Sequence, residues 1–327
     1  MATKKTAPSA DTTPETLLGA VTYFSDIDVA TAFVAALRWP KGVICPHCEA
    51  KDCAFVASRR IWQCKGCRKQ FSVKVGSIFE DSPIALSKWL PAMWMLVNCK
   101  NGISSYELAR DIGVTQKTAW FMLHRLRLAI QAESFDKMSG SVELDETFIG
   151  GKARNMHHTK KKRLGITQGR SMAGKVAVMG LLERTTTEQH SRVRLAQIPT
   201  TKRRHLMPHI ATHVELGTTV NTDALPSYVS LQSDYTHQII DHAEKYVDEQ
   251  VHTNGLENFW SLLKRMITGT YVSIEPFHLF RYLDEQAYRF NTRKDSDGRR
   301  FLDACKSVFG KRLTHAALTG SELPQSA

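Results

Sequence analysis

No run of apolar residues in this chain is long enough to span a bilayer; the longest, residues 89–97, suits a buried helix instead. The first sixteen positions hold Thr, Ala, Pro and Lys but no apolar signal segment. A disordered leader over residues 1–25 is therefore expected, with no secretory role. Cysteine is sparse and lacks the even spacing of a disulfide framework: of seven, four stand in two close pairs, while Cys53, Cys99 and Cys305 are scattered singles. A reducing cytoplasm fits best. No segment repeats another. Acidic residues are outnumbered, 32 Asp and Glu against 44 Lys and Arg, giving a net charge of +12 that favours a polyanionic partner, with nucleic acid the usual one. At 327 residues, two or three domains are expected.

What is present begins with Cys45 and Cys48, then Cys64 and Cys67. Two residues between thiolates let a tight turn aim both sulfurs at one tetrahedral Zn²⁺, and residues 49–63 have the length of a small hairpin. This is a zinc ribbon, too small to fold on its own apolar core, so bound metal supplies folding free energy. An amphipathic helix over residues 26–39 leads into it, and the alternating segment 69–74 reads as its closing strand. His47 lies inside the first knuckle and is read as surface or supporting, since four cysteines already suffice.

An apolar helix over residues 84–98 follows. Ser104 or Ser105 can then cap a short helix, Gly113 permits a turn, and Thr115 caps a second helix running to about residue 130. This is a helix-turn-helix pattern. Its second helix is expected to bury Ala119, Met122, Leu123 and Leu126 and to expose Gln116, Lys117, His124, Arg125 and Arg127 to DNA.

From residue 141 the pattern changes to strands. Val142, Leu144 and Phe148 share one face, so Asp145 emerges on the other, together with Glu143. Residues 152–175, with Lys160, Lys161, Lys162 and Arg163, read as a basic loop. Two strands, a helix over 202–214, strands over 218–222 and 236–240, and a helix over 254–267 complete the order of an RNase H-like mixed sheet. The fold class is thus multidomain α+β: helix plus ribbon over 26–80, helix-turn-helix over 81–135, an RNase H-like mixed α/β domain over 136–295, and a tail over 296–327. Phosphodiester chemistry with two Mg²⁺ or Mn²⁺ ions needs carboxylates that converge from separate elements. Asp145, Asp223 and Glu257 answer that description at two strand ends and on a helix. Lys264 lies two turns after Glu257 on one helix face and can hold a phosphate; Arg265 adjoins it. His252 precedes that helix, and Asp241 is a spare acid after a strand.

Four stretches carry a resemblance: the paired cysteines, residues 143–152, residues 221–223 and residues 252–265. In these the chain resembles the ISXO-type insertion-sequence transposases over about residues 29–291. The resemblance implies a DNA transposase of a bacterial insertion sequence that binds terminal inverted repeats, cleaves at the element ends and joins the 3′-OH to target DNA. It implies Asp145, Asp223 and Glu257 as the ligands of the catalytic Mg²⁺ or Mn²⁺ ions, Lys264 as the accompanying basic residue, structural Zn²⁺ in the ribbon, and a homo-oligomer in the active complex. Part of that group places an asparagine third, which would bring in Asn254; a carboxylate is the better Mg²⁺ ligand, favouring Glu257. Two other classes remain open: a DNA-binding regulator with an inactive catalytic domain, and an RNase H-like nuclease.

Overall fold

Short polar caps set the first helices. Thr16 accepts the Gly19 N–H to start α1 (Leu17–Phe24), and Asp26 accepts those of Asp28 and Val29 to start α2 (Ile27–Arg38). The computed structural model describes residues 13–131, 136–150, 157–163, 165, 174–187, 189–223, 225–240 and 253–320. In it, the expected disorder through residue 25 is overturned: residues 17–24 are helical because Ala20 and Phe24 are fully buried. The ribbon is an antiparallel sheet of β1 (Cys53–Val56), β2 (Ile61–Cys64) and β3 (Gln70–Phe71), pairing Cys53 with Cys64 and Trp62 with Phe71. Its closing strand stops short of the expected residue 74, because Ser72 opens a turn in which the Lys74 ammonium donates to the Ser82 and Ile84 carbonyls.

Helix α3 (Leu86–Asn98) is buried along most of its length. The helix-turn-helix forms as α4 (Ser105–Ile112) and α5 (Gln116–Ala129). Ser104 and Glu107 exchange hydrogen bonds in a capping box, Gly113 takes φ +62° at the turn, and Thr115 caps α5.

The chain divides into two units, one from residues 1–131 with 294–327 and one from residues 132–293. The second contains β4 (Ser141–Ile149), α6 (His158–Arg163), β5 (Val176–Glu183), β6 (Arg192–Ile198), α7 (Arg203–His213), β7 (Thr219–Asp223), β8 (Thr236–Ile240), α8 (Asn254–Met266) and α9 (Leu279–Asn291). Its sheet order is β6-β5-β4-β7-β8, with β5 antiparallel to both β4 and β6 and with β7 and β8 parallel to β4. This is the expected RNase H-like mixed sheet. Each face carries its own core: Val142, Leu144 and Val220 pack with Leu206, Ile210 and Tyr228, while Val178 and Leu182 pack with Leu256, Phe259, Trp260 and Leu283. Phe148 keeps the face of Val142 and Leu144 but is partly exposed near the end of β4. One local expectation fails: residues 158–163 of the expected basic loop are helical.

Residues 296–327, read as a tail, contain α10 (Asp297–Lys306) and α11 (His315–Thr319), which belong to the first unit. Phe301 is fully buried, its ring 5.7 Å from Phe24, 6.1 Å from Phe33 and 5.1 Å from Trp94. Farther on, Ser77 bridges to Phe309 and the Ile78 N–H donates to the Val308 carbonyl. That returning segment overturns the expected exposure of α5. His124, Arg125 and Arg127 are buried; Arg125 donates to the carbonyls of Ile78, Glu80 and Leu313 and stacks on Phe121. Its charge is absorbed by backbone oxygens of segments distant in the chain, so it holds the fold and is not available to DNA. Lys117 is exposed, and the half-buried Gln116 donates to Ser105 Oγ.

Candidate active site

The two cysteine knuckles are built alike. The Cys45 N–H reaches the Ala50 carbonyl and the Cys64 N–H that of Lys69, while the residue after each second cysteine, Glu49 or Arg68, turns left-handed at φ +61° and +60°. All four sulfurs lie within 4.8 Å of one another, with Cys45 to Cys67 at 3.7 Å and Cys48 to Cys64 at 3.5 Å. Zn–S bonds of about 2.3 Å in a tetrahedron give S···S edges of roughly 3.8 Å, so the set fits Zn²⁺. The Cys67 N–H donates to Cys64 Sγ and draws that thiol down to about 6. His47 lends its backbone N–H to Cys45 Sγ and packs its ring against Phe71.

In the second unit, β4 and β7 pair Glu143 with Asn221. Two residues on, Asp145 at the middle of β4 and Asp223 at the end of β7 therefore fall level on one face, the face α8 covers; the expected strand-end position holds only for Asp223. On the opposite neighbour Asp145 pairs with Gly180. Trp260 of α8 donates its indole Nε1–H to Asp145 Oδ2 at 2.9 Å, and the Glu146 N–H donates to Oδ1 at 2.8 Å. Glu257, one helical turn before Trp260, is exposed. Burial pushes the Asp145 carboxyl above its ordinary range; the two N–H donors pull it back, and the charges of Asp223 and Glu257 add to the rise. Of the three acids sequence reasoning selected, Asp145 is thus within reach of the charges of the other two. Among the described residues they do not draw into as tight a group as the four sulfurs.

Two neighbouring acids have distinct tasks. Glu146, on the opposite face, accepts the Tyr228 hydroxyl, and its carboxyl is pushed up to about 8 by burial and then by Asp145 and Asp223. Glu143 is buried and accepts the Leu256 N–H at 2.9 Å and Arg184 Nε at 2.8 Å. A side chain on Gly255 would lie 2.8 Å from Glu143 Oε2, so glycine is needed there for helix and carboxylate to meet. Glu143 therefore fixes the first turn of α8, where Asn254 and Glu257 both stand. Replacing Glu143 by alanine strips a buried partner from Arg184 and is expected to lower stability by about 3 kcal/mol in urea unfolding of the full chain.

Asn254, Lys264 and Arg265 are exposed on α8. Lys161 is half-buried and Lys162 exposed on α6; the side chains of Lys160 and Arg163, together with His252 and Asp241, lie outside the described residues. Sequence reasoning gave Trp260 only a packing role. A signal was present in Gly180, a glycine inside an otherwise apolar strand, which marks close approach by another group.

Residues 137–291 match the model of the ISXO2-like transposase domain, and residues 26–70 that of a transposase zinc-ribbon domain. An uncharacterized protein in transposable element ISH50 of Halobacterium salinarum is 31% identical over 249 residues, covering 73% of this chain and 82% of that protein. The chain belongs to the ISXO2-like transposases. An uncharacterized transposase-like protein of Haemophilus influenzae is 32% identical over 95 residues, 29% of this chain and 76% of that protein. The first matched domain contains Asp145, Asp223, Glu257 and Lys264, and the second contains all four clustered cysteines. Membership makes this transposase one of a family acting on DNA, as the resemblance read in the sequence implied. None of its described helices is singly long and apolar enough to cross a membrane.

Proposed function

We propose that this transposase moves a bacterial insertion sequence: it binds the terminal inverted repeats, hydrolyses a strand at each element end and joins the freed 3′-OH to target DNA, in the cytoplasm. Asp145, Asp223 and Glu257 would hold two Mg²⁺ or Mn²⁺ ions. The observation that carries this reading is the placement of Asp145 and Asp223 level on the sheet face that α8 covers, with Glu257 one turn before the Trp260 that bonds Asp145. Three like charges brought from two strands and a helix fit a site built for divalent cations. When bound, such ions stabilise charge on the attacking and leaving oxygens of an in-line displacement at phosphorus. Glu257 is preferred to Asn254 as third ligand because a carboxylate suits Mg²⁺ better than an amide. Lys264, two turns along the same helix and exposed, holds the DNA phosphate backbone near the acids. Handling both ends calls for at least two copies of the chain.

End binding falls to the ribbon and to the first turn of α5, with Lys161, Lys162 and Arg265 as backbone contacts. Lys117→Ala should weaken DNA binding across sequences and lower the salt slope by about one ion. Arg125→Ala should instead lower the melting temperature, since its guanidinium is bonded inside the unit. Gel shifts at several salt concentrations beside thermal scans separate the two.

The decisive assay supplies precut element ends and target DNA with Mg²⁺ or Mn²⁺. Joined product is expected. Cleavage without joining would make the protein a nuclease, and binding with neither product would make it a regulator.

A further inference from the structure

We infer that Trp260, seated in the space left by Gly180, is a positioning residue that holds the Asp145 carboxylate in one orientation before any cation arrives. The inference rests on the proposed role of Asp145 as a metal ligand. Asp145 and Gly180 are direct cross-strand partners, so a side chain at position 180 would project beside Asp145 on the face that α8 covers. A Cβ there would lie 2.6 Å from Cζ2 and 2.8 Å from Cη2 of Trp260, and 2.8 Å from Cδ2 of Leu256. The indole is a rigid group in a packed core, so a side chain at position 180 would force it to shift. Gly180 does not take a positive φ, so the residue is required for space and not for backbone conformation. Glycine inside a strand is less favourable than alanine, a cost this slot offsets by letting the indole in.

What the slot achieves is directional. Trp260 is 4% exposed, held edge-on against Phe259, and its N–H meets Asp145 Oδ2 while the Glu146 backbone meets Oδ1. One donor on each oxygen stops the carboxylate from rotating, yet a carboxylate has about four acceptor positions, and two stay open. An indole N–H donates only: it neither ligates a cation nor loses its proton in the physiological range, so it orients the ligand without competing for the ion. Phenylalanine would fill much of the same volume and donate nothing. It therefore separates orientation from packing.

The test is a Mn²⁺ titration by calorimetry on the zinc-loaded, full-length protein without DNA, with thermal unfolding as a check on the fold. Trp260→Phe is expected to weaken Mn²⁺ binding about 10- to 100-fold, the usual cost of losing a hydrogen bond to a metal ligand. Gly180→Ala, which displaces the indole, should give a loss of the same order. The double variant should be no weaker than the worse single one, because the hydrogen bond that Gly180→Ala breaks is already absent in Trp260→Phe. Parental affinity in Trp260→Phe overturns the inference, as does a double variant whose losses add. If Trp260→Phe unfolds, Gly180→Ala decides alone, parental affinity again overturning the inference. Asp145→Asn in the same titration tests the underlying reading: parental binding there removes the acids as ligands, whereas lost binding there beside parental binding in Trp260→Phe sinks only the positioning role.

Discussion

Asp145→Asn is expected to abolish strand cleavage and strand joining together, by roughly 1,000-fold or more, while binding to element ends stays within about twofold of the parent. A divalent ion at a phosphoryl centre contributes several kcal/mol to the transition state, and about 4 kcal/mol corresponds to that factor. Asparagine preserves the shape of the side chain and can still accept from the Glu146 N–H, but its NH2 then meets the Trp260 N–H donor to donor, so a thermal scan accompanies the assays to show that the sheet stands. The substitution removes the negative charge that a cation needs. Both reactions are displacements at phosphorus in one site, so they should fall in parallel. Assays on intact and on precut ends measure the two steps separately, and a gel shift measures binding. Cleavage at the parental rate would exclude Asp145 from the site, and joining lost without cleavage would mean that the two steps use different groups.

Ending the chain at residue 293 is expected to unfold the unit that carries the ribbon and helix-turn-helix and to abolish end binding. Residues 294–320 look peripheral in the sequence, but Phe301, Leu302, Ala304 and Cys305 are all buried there. Phe301→Ala alone should cost about 3–5 kcal/mol, against a total of roughly 5–15 kcal/mol for a typical domain. Truncation also removes the Leu313 carbonyl that accepts Arg125 Nε, leaving a buried charge short of a partner. Hydrogen exchange should show α2 and α3 losing protection in the truncated chain. Parental binding to element ends by residues 1–293 would refute the assignment.

Local chemistry made much of this legible. Ser104 and Thr115 announced two helices through their caps, apolar spacing announced the helix over 26–39, and the paired cysteines announced the ribbon. The strands of the mixed sheet were readable because β5 is a continuous apolar run and β4 carries its acids among apolar residues. What stayed hidden depends on partners far away in the chain. α1 and α10 have little reason to form until Phe24 and Phe301 meet. Arg125 looked like a DNA contact because nothing nearby reveals that carbonyls at positions 78, 80 and 313 will surround it. Trp260 was recognisable as a core residue, but the direction of its N–H follows from Gly180 on another strand.

The split of the first unit around the second also bears on synthesis. On the ribosome the cysteine knuckles and the helix-turn-helix emerge early, yet Phe301 and Leu313 are still untranslated until the whole mixed sheet has been made. A nascent chain therefore cannot complete its first unit before its second exists, and under the proposed function a late stop codon should yield a product that neither binds nor blocks element ends.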